Sequence, residues 1–222
     1  KINPNIGLAY NLLADYYVAI DDLKNAKLNY KKSLTISPNN NQALNNLAAV
    51  SFFEGNFKEA ENIYNLAFKN NDNDYNSMYY LSQCQLAMCN YETGWKNFEY
   101  RWFADQFKSK KLKTNLPKFF INSDKKNVLV WSEQGIGDQI LFLRFLNDIY
   151  PHINTLSINI DSRLHRIIER MSVKVKFISS IDQIKDFGIN SQISLGDLGS
   201  LFVKNNSNLT KSSKGYITSD FE

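Results

Sequence analysis

Residues 38–71 read PNNNQALNNLAAVSFFEGNFKEAENIYNLAFKNN, and this run decides the first half of the fold. It places Leu44, Leu47 and the small Ala48 on one helical face, then Ala60, Tyr64 and Ala67 on a second. The same order of residue types stands 34 positions earlier, as Tyr10, Leu13, Ala14 and Tyr17, then Ala26, Tyr30 and Ser33 with a closing Pro38. Pro4 and Pro38 repeat at the same interval of 34. A shift forward gives Met78, Leu81 and Ser82, then Gly94, Phe98 and Arg101. Small residues at a crossing let two helices approach, and large ones fill the adjoining holes. Asn39-Asn40 and Asp72-Asn73-Asp74 read as polar turns between units.

A 34-residue unit of two helices resembles the tetratricopeptide (TPR) repeat. Each hairpin buries only part of its apolar face, so neighbours must stack. The expected array covers residues 1–103, about three repeats, with the remnant of a preceding one at 1–6, because Pro4 stands where an earlier unit would end. The stretch from Glu92 to Trp102 is too aromatic for a solvent-facing last helix, and the domain that follows is the expected cover. In such hairpins the first helix lines the concave face, which here offers Asn11, Asp15, Asn45, Asn46 and Tyr79. Asn both donates and accepts, so a ladder of Asn can read the backbone of a bound protein or peptide. A non-catalytic TPR scaffold is therefore one expected role.

Lys and Arg total 26 against 22 Asp and Glu, and the net +4 comes from the Lys108 to Lys126 segment. This Lys-rich stretch with Leu116-Pro117 reads as a basic, solvated linker over 104–126, not as a nucleic-acid surface. Cys84 and Cys89 have no nearby His to complete a metal site and read as reduced packing residues. No apolar run approaches the roughly 18 residues a bilayer span needs, and Lys1-Ile2-Asn3-Pro4 does not open a signal peptide. A cytoplasmic, non-transmembrane protein is expected. The Asn-Asn-Ser and Asn-Leu-Thr sequons at 205–210 are expected by chance in so Asn-rich a chain.

From Asn127 the pattern changes to alternating strands and helices, as in a parallel sheet. Residues 127–132 read as a strand buried on both faces, followed by Glu133-Gln134-Gly135-Ile136-Gly137-Asp138 and an apolar helix from Gln139 to Tyr150. Residues 155–160, 173–178 and 192–195 read as further strands, with Asp161-Ser162 capping a helix from Arg163 to Met171. In open α/β sheets ligands bind beyond the carboxyl ends of strands, so Glu133, Gln134, Gly135, Gly137 and Gln139 are candidate ligand residues. Gly135 and Gly137 permit tight turns and close approach of a ligand. Asp138, at the helix start, is either a helix cap or a general base facing a sugar hydroxyl. The loop lacks the full Gly-x-Gly-x-x-Gly spacing, so no nicotinamide cofactor is inferred.

The run from Val128 to Phe145 resembles the opening of the glycosyltransferase half in bacterial TPR–glycosyltransferase proteins related to the heptosyltransferases of family 9. The Gly94-Trp95 to Trp102 stretch resembles the junction between repeats and enzyme in those proteins. The resemblance implies an α plus α/β architecture: a TPR helical-hairpin array followed, over 127–222, by the N-terminal Rossmann-like half of a GT-B glycosyltransferase. It implies Asp138 as the catalytic base, a nucleotide-sugar donor, no metal, and a glycan, lipid-linked or protein acceptor. Two departures stand out. Ser132 occupies the place of a basic residue, and the second Rossmann domain would begin about where the sequence reaches Glu222, so this portion alone is expected to be inactive. Arg144 reads as structural, and His152 and His165 as surface residues.

Overall fold

The computed structural model describes residues 5–121, 124–180 and 182–205. Residues 1–4 of the remnant assigned to 1–6, Pro4 among them, and all of the two sequons except Asn205 lie outside the described residues. Two compact units divide between Phe107 and Lys108.

The first unit is a helical array: α1 (Asn5–Ala19), α2 (Leu23–Ile36), α3 (Asn41–Phe53), α4 (Phe57–Asn70), α5 (Tyr75–Ala87) and α6 (Tyr91–Phe98). Paired as α1/α2, α3/α4 and α5/α6, these form three hairpins, and the 34-residue law holds in the backbone itself. Asp21, Gly55 and Cys89, each 34 apart, take left-handed φ values of 60°, 78° and 62°. The N–H after each closes the helix before it, Asp22 to Tyr17 O, Asn56 to Ser51 O and Asn90 to Gln85 O, all at 2.8 Å. Asn40 and Asp74, also 34 apart, cap α3 and α5 by accepting the N–H groups of Ala43 and Ser77. Ala14, Ala48 and Ser82 are sealed at the crossings, and Tyr30, Tyr64 and Phe98 fill the holes.

The third hairpin departs from the template. Its second helix stops at Phe98 and tightens into a 3-10 turn over Glu99–Phe103. Arg101 stands where the previous repeat has Ala67, is 0% exposed, and lies 4.3 Å from both the Phe98 and Trp102 ring centres. The aromatic stretch was expected to be covered by the next domain. Part of its cover comes from the same unit, since Ala104 and Phe107 pack with Tyr79, Trp95 and Phe98. Cys84 is buried as expected, whereas Cys89 is exposed at its left-handed turn, so only the former is a packing residue.

The second unit holds a parallel sheet. Its elements are β1 (Asn127–Trp131), α7 (Ile136–Leu143), α8 (Phe145–Ile149), β2 (Thr155–Asn159), α9 (His165–Glu169), β3 (Val175–Phe177), α10 (Gln183–Asp186), β4 (Ser191–Ser194) and α11 (Leu198–Phe202). The order is β3-β2-β1-β4, with Val130 of β1 beside Ile158 of β2 and Ile193 of β4. Val128 to Trp131 are buried, as a strand between two neighbours requires. The helix expected from Gln139 starts three residues earlier and breaks at Arg144 into α7 and α8. His165, expected at the surface, stacks on Phe177 with ring centres 4.0 Å apart.

The basic stretch is not a free linker. Gln192 donates its N–H to Pro117 O and accepts that of Phe119, so this segment lies along the outer edge of β4. Phe119 is sealed there, and Lys118 pairs with Asp197 at 2.8 Å. An apolar anchor flanked by lysines escapes a reading based on charge alone.

Candidate functional site

In the array, a groove of about 520 Å³ opens on the first helices of the hairpins. Asn41, Gln42, Asn45, Asn46 and Ala49 come from α3, Asn76 and Tyr80 from α5, and Asp74, Tyr64 and Gln106 complete the lining. Tyr64 and Tyr80 stack at 5.7 Å, and burial pushes both phenols up, which keeps them protonated hydrogen-bond donors. The carboxamides form a network across the hairpins. Asn45 Nδ2 donates to Asp74 (2.8 Å) and its Oδ1 accepts from Ser77 (2.7 Å). Asn46 Nδ2 donates to Asp15 (2.9 Å), which also accepts the Tyr30 hydroxyl (2.5 Å). Burial, and next the Asp15 carboxylate, push the Tyr30 phenol up and keep it a donor.

Of the five concave-face residues named from sequence, Asn45 and Asn46 line the groove and Asp15 stands behind Asn46 as its partner. Asn11 and Tyr79 do not belong to an open face, being 1% and 8% exposed. Tyr79 is covered by Phe98 and Phe107, with ring centres 5.9 and 5.7 Å away. Sequence reasoning missed Asn41, Gln42, Asp74 and Asn76. A signal was present, because Gln42 and Asn76 are 34 apart at the openings of two first helices.

In the sheet unit, the strand order reverses between β1 and β4, and the loop from Glu133 to Gly135 leaves β1 at that reversal. The left-handed residue in this loop is Gln134 (φ 64°), not either glycine. Its N–H donates to Ser109 Oγ at 2.6 Å. Gly135, with φ −71° and ψ 168°, is the cap residue of α7, so Asp138 is not the cap but sits within the first turn. Asp138 is exposed, and its Oδ2 lies 3.7 Å from where a Gly135 side chain would begin. Gly137 borders open space. Glu133 and Gln139, named as ligand residues, are both buried. Gln139 braces the loop by donating to Gln134 O (3.1 Å) and accepting the Asp161 N–H (3.5 Å). Asp161 itself is brought down to about 2 by its hydrogen bonds from Arg163. Among the described residues no three His, Cys, Asp or Glu side chains gather as a metal site, and no helix is long and apolar enough to cross a membrane.

The tetratricopeptide repeat family model matches residues 8–40. No curated protein matches the chain. Among solved structures, the first TPR domain of Spaghetti (RPAP3) bound to the HSP90 peptide SRMEEVD is 21% identical, with 45% of this chain and 79% of that one aligned at a TM-score of 0.43. The first TPR domain of human RPAP3 is 22% identical over 44% of this chain and 77% of that one, TM-score 0.43. A point mutant of the Thermobaculum terrenum O-GlcNAc transferase is 12% identical over 80% of this chain, TM-score 0.43, and this chain spans 42% of its length. The molecule is thus a TPR-like helical array with a small parallel-sheet region after it.

Proposed function

We propose that the array is a peptide-binding module and that its groove holds an extended segment of a protein partner. The groove between α3 and α5 carries the reading, because its carboxamides already engage backbone groups of the protein itself. Asn76 Oδ1 accepts the Gln106 N–H (3.3 Å), and Asn41 Nδ2 donates to Ala67 O (2.9 Å). A side-chain amide that pairs with one backbone pairs with another without regard to sequence. Gln42, exposed at the template position equivalent to Asn76, is the amide best placed to meet a ligand. Fluorescence anisotropy with labelled extended peptides tests this. Gln42→Ala is expected to weaken binding about fivefold, near 1 kcal/mol for one hydrogen bond, with an unchanged melting temperature. Failure of every peptide to bind would end the reading.

A second reading is favoured by one observation, the exposed Asp138 beside the β1/β4 reversal. In it the sheet region is the acceptor-side, Rossmann-like half of a heptosyltransferase-like GT-B enzyme acting in the cytoplasm, and the array recruits the acceptor. Asp138 takes the proton from an acceptor hydroxyl while that oxygen attacks the anomeric carbon of a nucleotide-sugar and the diphosphate leaves. The diphosphate is neutralised without metal by helix N-termini and basic side chains. Asp138→Asn in the full-length protein, assayed for nucleoside diphosphate release, decides it: unchanged turnover removes the base assignment.

A further inference from the structure

The groove has a chemical bias, and it comes from where the charges are. Helices α1, α3 and α5 contain no Lys or Arg, whereas α2, α4 and α6 carry Lys24, Lys27, Lys31, Lys32, Lys58, Lys69 and Lys96. Ion pairs join Lys27, Lys31 and Lys58 to Glu54, Glu59 and Glu61. Asp15 and Asp74 take part in none of these; their hydrogen-bond donors are neutral amides, a phenol and a backbone N–H.

Hydrogen-bond accounting gives the same sign. The Nδ2 groups of Asn41, Asn45 and Asn46 are already committed to Ala67 O, Asp74 and Asp15. Of the residues lining the groove Asp74 alone is charged, with Asp15 behind Asn46, and Asn41 Oδ1 is a buried acceptor with no donor; the donors the wall offers, the Tyr64 and Tyr80 hydroxyls and the Gln42 amide, are neutral. A carboxylate entering here would lose water with no cation to receive it, whereas an ammonium or guanidinium would find Asp74 held in place by two amides.

We infer that the groove selects an extended peptide carrying lysine or arginine, with Asp74 as its ion-pair partner, and turns away acidic tails. This rests on the peptide-binding reading above and names the ligand class for the same site.

The test titrates the whole chain with three short labelled peptides: a blocked Ala/Ser peptide, the same peptide with two lysines, and the acidic SRMEEVD with a free carboxyl end. The lysine peptide is expected to bind about tenfold tighter than the acidic one, with an affinity that falls as salt rises. Asp74→Asn keeps an acceptor for the α5 cap and is expected to cut the lysine-over-neutral affinity ratio about threefold or more. Circular dichroism checks its fold, and Asp15→Asn provides a second reading if Asp74→Asn does not fold. Equal or tighter binding of the acidic peptide, or a lysine preference untouched in the folded variants, overturns the inference and leaves the peptide-binding reading standing. Silence from all three peptides removes both.

Discussion

The second hairpin, α3/α4, and the third, α5/α6, follow one template and end differently. Both have the left-handed turn, the capped first helix and the small residue at the crossing, at Ala48 and Ser82. They part at position 67 against 101, where Ala becomes Arg and the helix tightens into a 3-10 turn. Ala67 is sealed at 0% exposure. Arg101 is equally sealed, yet its guanidinium is held by the Phe98 and Trp102 rings and donates to Phe98 O at 3.1 Å. The template sets turn, cap and crossing; what packs next decides the rest.

Exchanging the two residues should break this contrast most severely. Ala67→Arg forces a charge into a sealed position and is expected to cost more than about 3 kcal/mol. Arg101→Ala leaves a large void between rings and is expected to cost about 3 kcal/mol. Urea denaturation measures both, and a cost near zero for either would show that the site adapts freely.

The same contrast explains what the sequence could reveal. The hairpins were legible because three units confirm one another: a period of 34 marks Ala14, Ala48 and Ser82 before any contact is known. Exposure within the template was not legible. Residues 11, 45 and 79 share one template position, yet Asn45 lines the groove, Asn11 is sealed, and Tyr79 lies under Phe98 and Phe107. Residues beyond the repeat supply part of that cover, and periodicity is silent about them. In the sheet unit nothing repeats. Apolar runs gave the strands, but not the pairing of Pro117 and Phe119 with Gln192, because a lysine-rich segment shows no strand alternation. Nor did they give the left-handed Gln134, where two neighbouring glycines drew the attention.

The turns offer a smaller test. Gly55 adopts its φ of 78° freely, whereas Asp21 and Cys89 hold φ near 60° at a steric cost of about 1 kcal/mol. Cys89→Gly is therefore expected to stabilise the third hairpin by up to about 1 kcal/mol, and Gly55→Ala to destabilise the second by a similar amount. Thermal melts that move both variants in the same direction would break the equivalence of the turns. The caps sharpen it: Asn40 accepts the Ala43 N–H, whereas the Asn56 side chain caps nothing. Replacing Asn40 by Ala should cost about 1 kcal/mol, and replacing Asn56 much less.

The smallest effect separates the seams between hairpins. Between the first and second, Lys27 Nζ lies 2.7 Å from Glu54 and 2.6 Å from Glu59. Between the second and third, Gln85 of α5 donates to Glu61 of α4 at 3.3 Å, with Asn97 donating to Gln85 at 2.9 Å. The hydrogen bond from Lys27 lowers Glu59 below its ordinary 4.5, against the opposing effect of burial. Its contribution is therefore present above pH 4.5 and is lost as pH falls through the lowered value. Burial alone would lower Lys27, but Glu54 and Glu59 outweigh it and raise it above 10.5, so its contribution is present below that pH and fades as pH rises through the raised value. Glu59 is 38% exposed, so solvent screening holds the pair to about 0.5 kcal/mol. Lys27→Met should thus lower the melting temperature near neutral pH, with the gap to the parent protein closing in acid and in strong base. A gap that stays constant across pH would mean that Lys27 acts through its aliphatic stem and not through its charge.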